Sequence, residues 1–160
     1  MIPADEFRRV LGHFATGVTV ISTTGEDGRP TGLTASAFTS VSLDPPLVLV
    51  CVDHESQSYP ALLERGRFAV SVLTTAQEDL SRRFATTRLD KFDGVPHRSG
   101  TLGLPILDGA LAHLECVTVA THVEGDHTIL VGRVEHARSD SGEPLLYYRG
   151  RYGRLSGANP

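Results

Sequence analysis

The chain has 160 residues, with 40% hydrophobic and 21% charged, the make-up of one globular domain that buries roughly 70% of its unfolded surface. Its formal net charge of −4, with acids and bases interspersed, argues against a nucleic-acid partner and leaves no polybasic patch for a membrane surface. No stretch approaches the ~20 apolar residues of a membrane span. The amino terminus lacks the basic-then-apolar order of a signal peptide, so the expected compartment is the cytoplasm and the expected organisation a single domain over residues 1–160.

The first element is a helix, because Phe7, Val10, Leu11 and Phe14 recur at helical spacing. The period then changes. Val18, Val20 and Ile21 lie in a β-prone run that reaches Thr24 and ends in the turn cluster 26–30. The Thr/Ser-rich segment from Gly32 to Ser42 reads as strand with an irregular centre, broken at Asp44-Pro45-Pro46. Leu47 to Val52 is nearly continuous apolar and reads as a strand buried on both faces.

A short helix is expected over Tyr59 to Arg65, with Ser58 as its cap and Pro60 in the first turn. Phe68 to Leu73 is a further strand. Thr75-Ala76-Gln77-Glu78 has the capping-box pattern and opens a helix carrying Leu80 and Phe84 and closing near Ala85. Residues 86–109, interrupted by glycines and prolines, read as a long irregular loop that is functional or covers something. Leu111 to Val123 and Thr128 to Arg138 flank Gly125-Asp126 and read as a hairpin. Pro144 to Leu155 is the last strand candidate. One helix, many antiparallel strands and two short helices point to a closed barrel. The missing strand-helix alternation and the absence of Gly-x-Gly-x-x-Gly argue against a Rossmann sheet.

Residues 31–42 place six hydroxyls beside Gly32, Ala35 and Ala37. Small side chains let a flat ligand approach the backbone, and hydroxyls with free N–H groups bind phosphate or the polar edge of a ring. Ser56-Gln57-Ser58 precedes a helix, where free N–H groups favour an anion, with Arg83 and Lys91 as candidate cations. His127 follows a tight turn from which its ring can reach a cleft. The other six histidines lack zinc-like spacing and read as structural or surface residues. Cys51 and Cys116 lie in apolar runs without Cys-x-x-Cys spacing and read as buried reduced thiols. No metal site is expected. The tail from Tyr147 to Arg154 interleaves tyrosines and arginines and reads as a last barrel strand near a dimer interface.

Phe14-Ala15-Thr16-Gly17, the run from Gly32 to Pro46, Phe68 to Leu73, Phe84-Ala85, Lys91-Phe92, Gly125 to Gly132 and Pro144 to Gly150 together resemble the flavin reductase family with the FMN-binding split-barrel fold. The resemblance implies a mainly β split barrel with short helices, antiparallel and of Greek-key type. It implies a homodimer that reduces FMN or FAD with NADH or NADPH and supplies reduced flavin to a flavin-dependent monooxygenase. It further implies that Thr34, Ala35 and Ser36 line the isoalloxazine edge. Ser40, Val41, Ser42, Cys51, Val52 and Asp53 would border the ribityl chain and ring. Ser56, Ser58, Phe84, Ala85 and Lys91 would lie near the phosphate or the flavin rim, and His127 would act on the nicotinamide side.

The expected chemistry is hydride transfer, with the two rings held about 3–3.5 Å apart and no acid–base dyad required. The alternatives are another flavin-dependent oxidase of the same fold or a flavin or haem carrier without turnover. A pyridoxamine-phosphate oxidase would need a second basic phosphate site, which these motifs lack.

Overall fold

The computed structural model describes residues 1–156. Helix α1 (Ala4–Leu11) starts after Pro3, with Asp5 and Glu6 in its first turn and Arg8 and Arg9 in its last, both signs matched to the helix dipole. The expected helix is shorter than its apolar pattern. Phe14 lies beyond its end, in a turn where the Phe14 N–H donates to the Leu11 carbonyl. None of its residues is buried, and Phe7, Val10, Leu11 and Phe14 are 49–74% exposed. The apolar stripe is present, but it faces away from this chain's core.

The β-prone run after it divides into β1 (Thr16–Gly17) and β2 (Thr19–Thr24). Then come β3 (Pro30–Ala35), β4 (Phe38–Leu43) and β5 (Pro46–Asp53). Helix α2 (Tyr59–Arg65) leads to β6 (Arg67–Val72), and a short 3-10 turn (Thr75–Gln77) leads to α3 (Glu78–Phe84). The capping box sits one residue earlier than the pattern predicts: Thr74 and Gln77 cap each other's backbone. Ser58 is not a side-chain cap of α2, because its hydroxyl donates to the Gly32 carbonyl instead.

Residues 86–109 are not a loose loop. They hold the small hairpin β7 (His97–Ser99) and β8 (Pro105–Leu107) and bury Phe92, Val95, Leu104, Ile106 and Leu107. The buried Glu115 carboxylate accepts the Thr101 and Leu102 N–H groups at 2.8 and 2.6 Å. A Cβ on Gly100 would lie 2.5 Å from that carboxylate, so glycine is what allows the turn to close there. This segment covers one side of the barrel.

The expected hairpin is β9 (Ala112–Glu124) and β10 (His127–Ser139). The expected last strand is itself a hairpin, β11 (Leu146–Tyr148) and β12 (Arg151–Gly153). Arg149 and Gly150 turn it with φ of 50° and 77°, the positive angles that a two-residue turn between twisted strands requires.

The main sheet has seven antiparallel strands in the order β3-β2-β6-β9-β10-β5-β4. β3 and β4 stand at opposite edges of this order, yet only Ser36 and Ala37 join them. A connection this short spans at most about 11 Å. The sheet must therefore curl until its edges meet, and β3 contacts β5. The edges touch without a continuous ladder, which is a barrel with a split.

The core is built from alternate residues of these strands. β5 buries Val48, Val50 and Val52 and leaves Leu47, Leu49 and Cys51 half-buried, so the expectation of burial on both faces is corrected to one. Cys116 is buried as expected, whereas Cys51 is only half-buried, and both thiols are free. No helix among the described residues is long and apolar enough to cross a membrane.

Candidate functional site

The split is where backbone and side chains become available to a ligand. β4 pairs with β5 only as far as Phe38 opposite Val50, and the Cys51 N–H then donates to the Ala37 carbonyl at 3.0 Å. Beyond that point the β4 side of β5 has no strand partner among the described residues. Two clefts flank the crossing at Ser36-Ala37. One, of about 240 Å³, lies between the ends of β3 and β5 and the C-terminal end of α3, and includes Thr34, Asp53, Ser56, Phe84, Ala85 and Lys91. The other, of about 710 Å³, is mostly apolar and includes Ser36 and Cys51, walled by α1 and the β11–β12 hairpin.

Eight predicted cofactor residues thus line the two clefts. The rest are placed differently. Ala35 and Val52 point into the core, at 7% and 0% exposure, so only their backbone can serve a ligand. Ser58 is 1% exposed, and its hydroxyl, which also bonds Thr31 Oγ1 at 2.8 Å, is turned inward. Ser40, Val41 and Ser42 line neither cleft. They lie on the edge strand β4 at a bulge, where Ser40 opposes Val48 and Ser42 opposes Leu47. His127 lines neither cleft, and it stands directly across from Asp53 of the smaller one. Thr34 has spent its hydroxyl as a donor to the Ser81 carbonyl at 2.6 Å. Ser56 Oγ accepts the Ser58 N–H at 3.3 Å.

Lys91 is the unusual group. It is 5% exposed, and Nζ donates to the carbonyls of Gly32 and Phe84 at 3.1 and 3.2 Å. Burial lowers its pKa. Among the described residues no carboxylate pairs with it, although eight arginine–carboxylate ion pairs are present. A buried charge normally needs a counter-charge. An ammonium with two carbonyl partners has a third N–H to give, and it stands at the wall of the smaller cleft. This donor set fits a phosphate.

Arg83, the other candidate cation, is committed elsewhere. Its Nη2 donates to the carbonyls of Asp90 and Asp93 and so ties down the segment that carries Lys91. Sequence reasoning missed Leu33, Thr86 and Thr87 in the smaller cleft, and Phe38, Leu49 and Tyr147 in the larger. The alternation of β5 was the available signal for Leu49. Nothing local signals the threonines. The His54 ring meets Thr128 Oγ1 at 2.9 Å, and Tyr59 Oη meets the same oxygen at 2.8 Å, which ties the end of β5 to β10. His127 Nδ1 lies 2.7 Å from Asp126 Oδ1.

Residues 11–156 match the model of the flavin reductase like domain. The chain belongs to the flavin reductase-like family. Within this family it is 44% identical over 149 residues to the flavin-dependent monooxygenase reductase subunit HsaB of Mycobacterium tuberculosis, covering 91% of this chain and 79% of that one. It is 44% identical to a flavin reductase (NADH) of Kitasatospora aureofaciens, covering 96% and 83%. Among solved structures it is similar to the NADH:FAD oxidoreductase SgcE6 of Streptomyces globisporus C-1027 in complex with NAD and FAD fragments. That likeness has TM-score 0.90 and 43% identity, and covers 96% of this chain and 93% of the other. The family and the mainly β antiparallel fold expected from the sequence are both met.

Proposed function

We propose that this protein is an NADH-dependent flavin reductase that works as a homodimer and hands reduced flavin to a flavin-dependent monooxygenase. The observation that carries the reading is the buried Lys91, without a carboxylate partner among the described residues, at the wall of the cleft between the ends of β3 and β5. The flavin phosphate is its counter-charge. The isoalloxazine edge lies along Thr34–Ser36, where the split exposes backbone and small side chains allow close approach. Cys51–Asp53 border the ribityl chain along the end of β5 that β4 leaves unpaired, Ser40–Ser42 approach it from the edge strand β4, and Ser56, Phe84 and Ala85 complete the rim. Val52, Ala35 and Ser58 contribute backbone or support rather than side-chain contacts.

Flavin, when bound, would supply the acceptor for a hydride from the reduced nicotinamide. The protein's share is to hold the two rings in register and to neutralise the phosphate. His127 orients the nicotinamide from the β10 side of Asp53. The relatives named as NADH enzymes support NADH as the reductant, and the relative named as a monooxygenase reductase subunit supports an oxygenase partner. The exposed apolar stripe of α1, beside the larger cleft, supports a second copy of the chain as its cover. Two free thiols suit the reducing cytoplasm.

NADH oxidation measured with added FMN and FAD tests the activity. Turnover that depends on flavin is expected, and NADH consumption indistinguishable from the flavin-only background would overturn the reading. His127→Ala separates the substrates. Flavin affinity should hold while kcat/KM for NADH falls about 10-fold, a ~1.4 kcal/mol loss. An unchanged kcat/KM would remove His127 from the site.

A further inference from the structure

Asp126 forms a pair with His127, and of the two the hydride-transfer reading uses only His127. Asp126 sits in the turn between β9 and β10, and its Oδ1 lies 2.7 Å from His127 Nδ1. The turn is anchored, because the His54 N–H donates to the Asp126 carbonyl at 3.1 Å and the His54 ring is held by Thr128. Two more carboxylates face His127 in register, Asp53 on β5 and Glu124 on β9. Of these three acids only Asp126 has a hydrogen bond to the ring.

The identity of the donor follows from charge. The hydrogen bond from His127 lowers the pKa of Asp126, so near neutral pH its carboxyl is ionised and can only accept. The proton in the contact therefore belongs to His127 Nδ1. In a neutral imidazole the other nitrogen, Nε2, is then an acceptor. Which ring nitrogen carries the proton is set by the bond the other makes.

We propose that Asp126 is a positioning residue for hydride transfer. It holds neutral His127 as the Nδ1–H tautomer, so that Nε2 accepts a hydrogen bond from the carboxamide NH2 of the nicotinamide. Without Asp126 the ring would turn and adopt the Nε2–H form that free histidine favours, presenting a donor to a donor. This rests on the assignment of His127 to the nicotinamide.

The test uses three variants of the full-length protein: Asp126→Ala, Asp126→Asn and His127→Ala. Asp126 has a 91% exposed side chain in a turn, so its replacement leaves the core untouched, and unchanged urea midpoints will confirm this. The 15N shifts of the His127 ring at pH 8 should show a protonated Nδ1 in the wild type and mainly a protonated Nε2 in Asp126→Ala. Asp126→Ala should raise KM for NADH several-fold with FMN affinity unchanged. Asp126→Asn keeps an acceptor oxygen and should recover most of both signals. If His127→Ala impairs hydride transfer while Asp126→Ala keeps the wild-type ring shifts or the wild-type KM, the inference is overturned. If His127→Ala itself has no effect, it is the assignment of His127 that fails.

Discussion

Replacing Lys91 by methionine tests the role proposed for it, meeting a phosphate, apart from its part in closing the core. The side chain is nearly isosteric along its stem, so the packing beside Phe84 and Phe92 is kept. The loss is of one ammonium that donates to the Gly32 and Phe84 carbonyls. Gly32 keeps a second donor in Ser58, whereas Phe84 loses this one, at a cost of about 1–3 kcal/mol for an unsatisfied buried acceptor. Removing a desolvated charge offsets part of that. For ligand binding, a charge-assisted hydrogen bond contributes about 1.5–3 kcal/mol, so FMN should bind about 10- to 150-fold more weakly. Riboflavin, which has no phosphate, should bind as before. Fluorescence-quenching titrations with both ligands read this difference. Equal weakening of the two, or of neither, would refute the phosphate role of Lys91. The stability curve gives a second check. Burial lowers the Lys91 pKa, so between that lowered value and the ordinary lysine value of 10.5 the unfolded chain binds more protons than the folded one. Stability from this group therefore rises with pH across that alkaline window. Urea unfolding should show the rise in the wild type and its loss in Lys91→Met.

Gly132→Ala should destabilise by about 1–3 kcal/mol through overpacking, because a Cβ there would lie 2.5 Å from Phe68 and 2.9 Å from Cys116. The lower entropy of the unfolded chain returns only about 0.4–1 kcal/mol, and an unchanged urea midpoint would contradict the clash. Ser36→Leu should abolish flavin binding in a folded protein, since the residue is exposed at the larger cleft beside the split; unchanged affinity by fluorescence quenching would move the ring elsewhere. Leu11→Glu should convert the dimer to monomer in light scattering, because Leu11 belongs to the exposed α1 stripe; a wild type already monomeric at micromolar concentration would defeat the homodimer itself.

Much of this protein is legible locally. The period of Phe7, Val10 and Leu11, the break at Asp44-Pro45-Pro46 and the turn at Gly125-Asp126 mark α1, the β4–β5 junction and the β9–β10 hairpin, because spacing and turn chemistry act over a few residues. The motif order from Phe14 to Gly150 is enough to point to the family. Three things needed the tertiary structure. The stripe of α1 announces an apolar face without saying that it turns away from this chain's own core. Residues 86–109 look like loop because their hydrophobic residues are spaced by prolines and glycines, yet Phe92, Val95 and Ile106 are buried once Glu115, distant in sequence, caps the turn at Thr101 and Leu102. The inward turn of Ser58 and the burial of Lys91 follow from one carbonyl, that of Gly32, which accepts from both. No local pattern encodes that meeting, because it requires β3, α2 and the segment after α3 to converge. Local sequence chose the residue types and the elements; long-range closure of the barrel decided which of those side chains face the cleft.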